Sequence, residues 1–384
     1  MKIDKVLFWD IIFILIFGLL MVLSSLGGFI MFSDNFLKGS EKFIKQLVVA
    51  CIGFLAMLGI SKLDYGTIRN WVKPVFIIAV LLLGAVLVIG GGLGGVKRWL
   101  VFGPISFQPS ELAKYTLVLF LASAYAKKSV ELDNIAVRIK YFYLPIAIVI
   151  GLVVMEPNFG TAFVISLISL TMLFIMGFDV KELGLLILIA LSILTIGIIV
   201  TPYARMRIAG FFNLKGAKSP GTQSMYSLFA IGSGRLFGLG LGGGMTKLFF
   251  LPRAYTDFIF SVIGEEFGFI GTFLMIGAYF ILVVRGMKIA KMSNDVFGFL
   301  ASYGITITIA YYVIFNILIA LKLFPVTGLP LPFVSVGGSS LIITLSAMGV
   351  LLSISKSGDD AKSENDFYSL RRNGGTYLPG TFTG

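Results

Sequence analysis

The chain has no histidine and a single cysteine, Cys51. Without histidine there is no Ser-His-Asp triad, no imidazole base and no His-based metal site. One cysteine excludes a disulfide framework. Charge is scarce as well, at 13% of residues, and only 19 side chains are acidic. With 57% hydrophobic residues and a mean hydropathy of +0.98, a soluble core could not hide the apolar surface, whereas a bilayer removes the need. The short alternating segments of a β-barrel are missing too. The apolar runs are about 17–25 residues long and read as helices. A net charge of +12 would suggest nucleic acid in a soluble protein. Here it fits cytoplasmic loops and anionic membrane lipids, and no nucleic-acid partner is expected.

The pattern predicts an all-α integral membrane protein of about ten transmembrane helices, at 7–32, 45–61, 74–92, 110–126, 141–155, 160–178, 183–202, 258–284, 296–321 and 339–355. The first run is too long for a cleavable signal and many spans follow it. With the N-terminus inside, the inner segments carry 17 Lys and Arg against 6 in the short outer loops. The positive-inside rule therefore places both termini in the cytoplasm. A long extracytoplasmic loop, 203–257, then separates helices 7 and 8. Residues 1–356 form the membrane domain, and the polar, Gly-rich stretch 357–384 is expected to be a disordered cytoplasmic tail. No internal repeat is visible, which weakens an inverted-repeat transporter reading.

Four segments can carry chemistry. The long loop holds Ala230-Ile231-Gly232-Ser233-Gly234-Arg235-Leu236-Phe237-Gly238 and more glycines to Gly244. Such backbone suits either close approach to a ligand or a plain membrane-surface hairpin. It ends in Leu251-Pro252-Arg253-Ala254-Tyr255-Thr256-Asp257-Phe258. Asp257, at the outer mouth of a span, can accept a proton or simply cap the helix. Glu265 and Glu266 follow inside that span, where carboxylates need partners or a water-filled cavity, so both structural and functional roles stay open.

The outer loop before the fourth span runs from Lys97-Arg98-Trp99 to Gln108-Pro109-Ser110-Glu111 and Lys114. Glu111 and Lys114 share a helix face and can pair. Lys97, Arg98 and Lys114 are candidate ligands for a phosphate. Headgroup contact explains them equally well. The stretch Phe324–Ser340 contains three prolines and reads as irregular backbone lining a cavity. Its end, Gly337-Gly338-Ser339-Ser340, could offer N–H groups to an anion at a helix start.

Taken together these segments resemble the SEDS family (shape, elongation, division and sporulation), the FtsW/RodA-type membrane glycosyltransferases. The resemblance spans the chain to about residue 355 and leans toward the division and sporulation branch. It implies a polymerase that joins lipid II into peptidoglycan strands by inverting transfer, releasing undecaprenyl pyrophosphate outside the cytoplasmic membrane. Lys97, Arg98, Lys114, Arg205 and Arg207 are then the candidates to receive that anionic leaving group. The resemblance also implies pairing with a class B penicillin-binding transpeptidase. The family's catalytic Asp falls on Asp257, and its acid and base of the fourth span on Glu111 and Lys114. Gln223 remains of a Gln-x-x-Gln-Ser pattern whose second Gln is Tyr226. Asn158 stands where the family has Asp, Arg235 where it has Gly, Arg253 where it has Glu and Tyr255 where it has His. No ligand cluster for a metal has diagnostic spacing, although a divalent cation, Mg or Mn, could assist. Two rivals stay open: a lipid II flippase, in which charges inside the spans matter most, and a non-catalytic scaffold for a transpeptidase.

Overall fold

A computed structural model describes residues 3–32, 36–91, 97–103, 105–212, 220–251 and 254–356. The expected tail, 357–384, and Arg253 lie outside the described residues.

The elements are helices joined by short turns. In order they are α1 (Lys5–Phe32), α2 (Phe36–Lys62), α3 (Tyr65–Ile89), a two-stranded hairpin β1 (Leu100–Phe102) and β2 (Ile105–Phe107), α4 (Pro109–Lys128), and α5 (Ile135–Arg138), which a π-turn over Ile139–Tyr143 joins to α6 (Leu144–Met155). Then come α7 (Phe159–Ile175), α8 (Val180–Val200), α9 (Pro202–Phe211), α10 (Pro220–Ser233), α11 (Thr246–Phe249), α12 (Ile259–Lys291), α13 (Val296–Ala320) and α14 (Gly338–Ser355). Among the described residues, eight helices are long and apolar enough to cross a membrane. α4 and α7 fill two further expected positions. α7 has 17 residues, and α4 carries Glu111, Lys114, Lys127 and Lys128.

Starts follow local chemistry. Asp64, Asp179 and Asp295 cap α3, α8 and α13 by accepting backbone N–H bonds, and proline opens α4 and α9 where its missing donor costs nothing. α13 and α14 are the most buried candidate spans, at 61% and 72%, and α8 the least, at 11%. α13 packs against α12, α4, α7 and α14 at the centre. α8 lies at the edge, against α7 and α9.

The 203–257 connection is not a simple loop. α9, α10 and α11 occupy much of it, and α10 packs on α12. Its Gly-rich part inserts into a break in α12 at Gly268, whose φ of 64° and ψ of −158° interrupt the helix. The backbone groups freed there are taken up by the insert. Leu239 N–H donates to Glu265 O (3.0 Å), Gly240 N–H to Glu266 O (3.0 Å), Phe269 N–H to Arg235 O (2.8 Å) and Ile270 N–H to Leu236 O (3.2 Å). This is how non-helical backbone survives among spans.

Arg235 sits in the insert at φ 49° with an exposed side chain, where the resembled family has Gly. An L-residue in that region costs about 1 kcal/mol that glycine avoids. Arg235→Gly is therefore expected to raise the detergent-solubilised melting temperature by a degree or two. A lowered midpoint would contradict this.

Candidate active site

Asp257 lies in the turn before α12 and is half-buried. Its backbone is pinned from α13, where Asn316, wholly buried, donates through Nδ2 to Asp257 O (3.0 Å) and Leu329 O (2.8 Å). The flanking turn is stitched to the irregular 322–337 stretch. Ser335 Oγ donates to Thr256 O (2.6 Å) and accepts from Leu331 N (2.8 Å), while Val336 N–H donates to Tyr255 O (2.9 Å). Gln46 of α2 holds the far side, accepting from Gly337 N at 3.4 Å. Lys42 of α2 reaches the Tyr255 hydroxyl at 3.2 Å. A short acidic turn is thus held by α2, α13 and a proline-rich platform, which suits a group that must stay in place during chemistry.

Gly328 shows what faces the carboxylate. A Cβ built there would lie 3.6 Å from Asp257 Oδ2 and 3.7 Å from Arg207 Nη1. The carboxylate and the guanidinium therefore converge on one small space, kept open by a glycine at φ 78°. Arg207 extends from α9 and donates to Val326 O at 2.9 Å. Behind it opens a cavity of about 170 Å³, lined mainly by apolar side chains from α7, α8 and α9 and by the 324–327 turn. Its polar contributors are Arg207, Arg98 and Thr327, and Thr327 Oγ1 is buried without a partner.

The other candidate residues separate clearly. Arg98 is on the cavity wall, whereas Lys97 is exposed and caps α3 by donating to Leu87 O (3.4 Å) and Val88 O (3.0 Å). Glu111 and Lys114 face each other at 2.6 Å, both nearly inaccessible, with the ammonium 3.7 Å above the Tyr312 ring. They form a buried pair rather than a wall of the cavity. Asn158, in place of the family's Asp, turns to Ser110 at 3.5 Å, so Lys114 keeps Glu111 as its carboxylate. Arg205 is exposed, Gln223 is half-buried on α10, and neither lines the cavity. The hydroxyl of Ser339 is a brace: it accepts from Gln108 N (3.0 Å) and donates to Ser106 O (3.0 Å).

Glu265 and Glu266 are occupied structurally. Glu265 accepts from Met245 N, Thr246 N and Thr246 Oγ1, each at 2.9 Å, fixing the start of α11. Glu266 pairs with Lys247 and accepts from Ser24 Oγ at 2.7 Å. Both acids hold the Gly-rich insert against α12, as buried carboxylates among spans require. Asn316 went unnoticed in the sequence, and Thr327 and Gly328 were covered only as part of the Phe324–Ser340 stretch, with no role of their own. A lone amide in the apolar run 296–321 was the available signal for Asn316.

The pattern of the FtsW, RodA and SpoVE cell cycle proteins matches residues 5–359. The chain belongs to the FtsW/RodA/SpoVE family. A relative from Trichlorobacter lovleyi, named probable peptidoglycan glycosyltransferase FtsW, is 36% identical over 94% of this chain and 96% of its own length. Stage V sporulation protein E of Bacillus subtilis is 37% identical over 89% and 94%. Among solved structures, a peptidoglycan synthase complex described as coordinating polymerization and crosslinking gives a TM-score of 0.75 at 27% identity, covering 94% of this chain and 99% of the matched one. The RodA of Thermus thermophilus gives 0.66 at 29% identity, covering 93% and 97%. As a member of this family, the chain has the multi-pass helical membrane architecture expected from its sequence.

Proposed function

We propose that this FtsW/RodA/SpoVE family member is a peptidoglycan glycosyltransferase that polymerises lipid II in the cytoplasmic membrane, with Asp257 as general base on the outer face and both termini inside. The single observation that carries the reading is the convergence of Asp257 and Arg207 on the gap over Gly328, at the edge of a largely apolar cavity.

A carboxylate there takes the proton from the 4-hydroxyl of the acceptor's N-acetylglucosamine. The hydroxyl oxygen attacks the anomeric carbon of the donor's N-acetylmuramic acid from the face opposite the leaving group. The C–O bond to the diphosphate breaks, and undecaprenyl pyrophosphate leaves with inversion. Arg207 and Arg98 receive the developing negative charge, and the apolar wall takes the first isoprenoid units. Among the described residues, no three acidic or cysteine side chains gather to hold a metal ion. A divalent cation would draw its ligands from the substrate's diphosphate. Membrane lipids are the solvent, and a class B penicillin-binding protein is the expected crosslinking partner. The likeness to a polymerization and crosslinking complex supports that pairing, and the FtsW and sporulation relatives favour the division or sporulation branch.

The test is glycan-chain formation from purified lipid II, resolved on a gel, with the full chain alone and with its transpeptidase. Polymer is expected. Lipid II crossing a vesicle bilayer without polymer would favour a flippase, and no activity of either kind a scaffold. Arg207→Ala removes a charge-assisted contact to the leaving group, worth about 1.5–3 kcal/mol. It should lower kcat/KM roughly 10- to 100-fold. An unchanged kcat/KM would remove Arg207 from the site.

A further inference from the structure

The glycine-rich insert carries a cation and a row of apolar side chains that glycosyl transfer leaves unused. Arg235 opens the row, exposed and at a positive φ that costs the chain stability. Leu236, Phe237, Leu239 and Leu241 follow, all of them exposed, Phe237 at 79%. The acids closest in the fold do not neutralise the cation: Glu265 is engaged by Thr246 and Glu266 by Lys247. Among the described residues no ion pair reaches Arg235.

α12 fixes the level of the insert in the membrane. Arg285, Lys288 and Lys291 mark its inner end. About 30 Å of hydrocarbon, counted back from Arg285 at 1.5 Å per residue, reaches roughly residue 265. Arg235 O and Leu236 O accept from Phe269 N and Ile270 N, which places them within about 8 Å of that outer boundary. The face of α12 beside them is apolar and exposed too, with Phe269 and Phe273. At this level exposed apolar side chains meet acyl chains, and an arginine can extend its head to the phosphate layer. A phospholipid offers both surfaces in one molecule. The insert brings positive charge without an acid to match it, so the complementary headgroup is anionic.

We propose that Arg235 and the turn over 236–241 form a docking site for an anionic phospholipid of the outer leaflet. The guanidinium holds the phosphodiester through forked N–H bonds, and Leu236, Phe237, Leu239 and Leu241 seat against the acyl chains. The lipid fastens the insert from outside, as Glu265 and Glu266 fasten it from within. In a bilayer Arg235 thereby restores stability that its backbone conformation removes.

The test places a reporter in the turn. The full chain carrying Phe237→Trp is reconstituted in mixed vesicles of phosphatidylglycerol and phosphatidylcholine, with one lipid or the other brominated. The signal of Trp9, Trp71 and Trp99 is subtracted with the unmodified chain. Bromine quenches an indole that touches it, so the two mixtures give the relative affinity at this position. A preference of about fivefold for phosphatidylglycerol is expected. Adding Arg235→Gly should bring the ratio to about one, whereas Arg235→Lys, which keeps the charge without the fork, should retain part of it. Equal quenching with Arg235 in place overturns the proposal, as does a preference that survives Arg235→Gly. Quenching by neither lipid puts the turn against water or another protein and overturns it too. A preference abolished by lipid II equimolar with the protein assigns the cation to a polyprenyl diphosphate and likewise overturns the phospholipid site. None of these measurements depends on Asp257 or on the cavity, so they separate a failure here from a failure of the glycosyltransferase reading.

Discussion

Asp257→Asn should slow lipid II polymerisation roughly 10²- to 10⁴-fold, the usual cost of losing a general base. The amide is isosteric, so the backbone bond from Asn316 and the stitching by Ser335 and Val336 remain in place. Melting temperature and lipid II binding are therefore expected to stay close to wild type, and the whole loss should fall on turnover. That pattern marks an interaction made in the transition state alone. Asp257→Glu keeps the carboxylate but lengthens its arm by a methylene into the narrow space shared with Gly328 and Arg207. It should recover part of the rate, because displacement of about 1 Å costs much of the benefit of orientation. Single-turnover gels with folded protein decide the matter. A near wild-type rate for Asp257→Asn would remove the carboxylate from the chemistry.

Asp257 was legible as a candidate because Thr256-Asp257-Phe258 sits where a long loop meets an apolar run, where an acid either caps the helix or handles a proton. The platform beneath it was legible from prolines, which forbid a helix over 324–332. The choice among cations was not. Lys97 and Arg98 are sequence neighbours in the irregular backbone just before β1, with no helix or strand period to say where each points. One caps α3 and the other lines the cavity, and nothing in their order says which. Arg205 and Arg207 differ in the same way, through their placement on α9. Glu265 and Glu266 stayed ambiguous because their partners, Thr246, Lys247 and Ser24, come from a glycine-rich stretch and a distant first helix. Periodicity reports which face of a helix is apolar. It does not report what a neighbouring segment inserts into that helix.

That insertion sets the second large effect. Gly268→Ala should prevent accumulation of stable protein, with a loss above about 4 kcal/mol, the range of exceptional single substitutions. The residue holds φ 64° and ψ −158°, a conformation open essentially to glycine alone, which by itself costs other residues about 1–3 kcal/mol. A Cβ there would also collide with the backbone of Gly238 and Leu236. The insert would have to withdraw, and the bonds at Glu265 O, Glu266 O, Phe269 N and Ile270 N would go with it. Gly268 lies nine residues into α12, roughly 14 Å along its axis, where water cannot replace them. Gly240→Ala is the control. It shares a positive φ of 87° but has open space around its Cβ, so only conformational strain of about 1 kcal/mol is expected. Fluorescence-detected size exclusion and thermal melts of both variants measure the difference. A Gly268→Ala protein that elutes and melts like Gly240→Ala would mean the break in α12 is not what holds the insert, and the acids beside it would need another purpose.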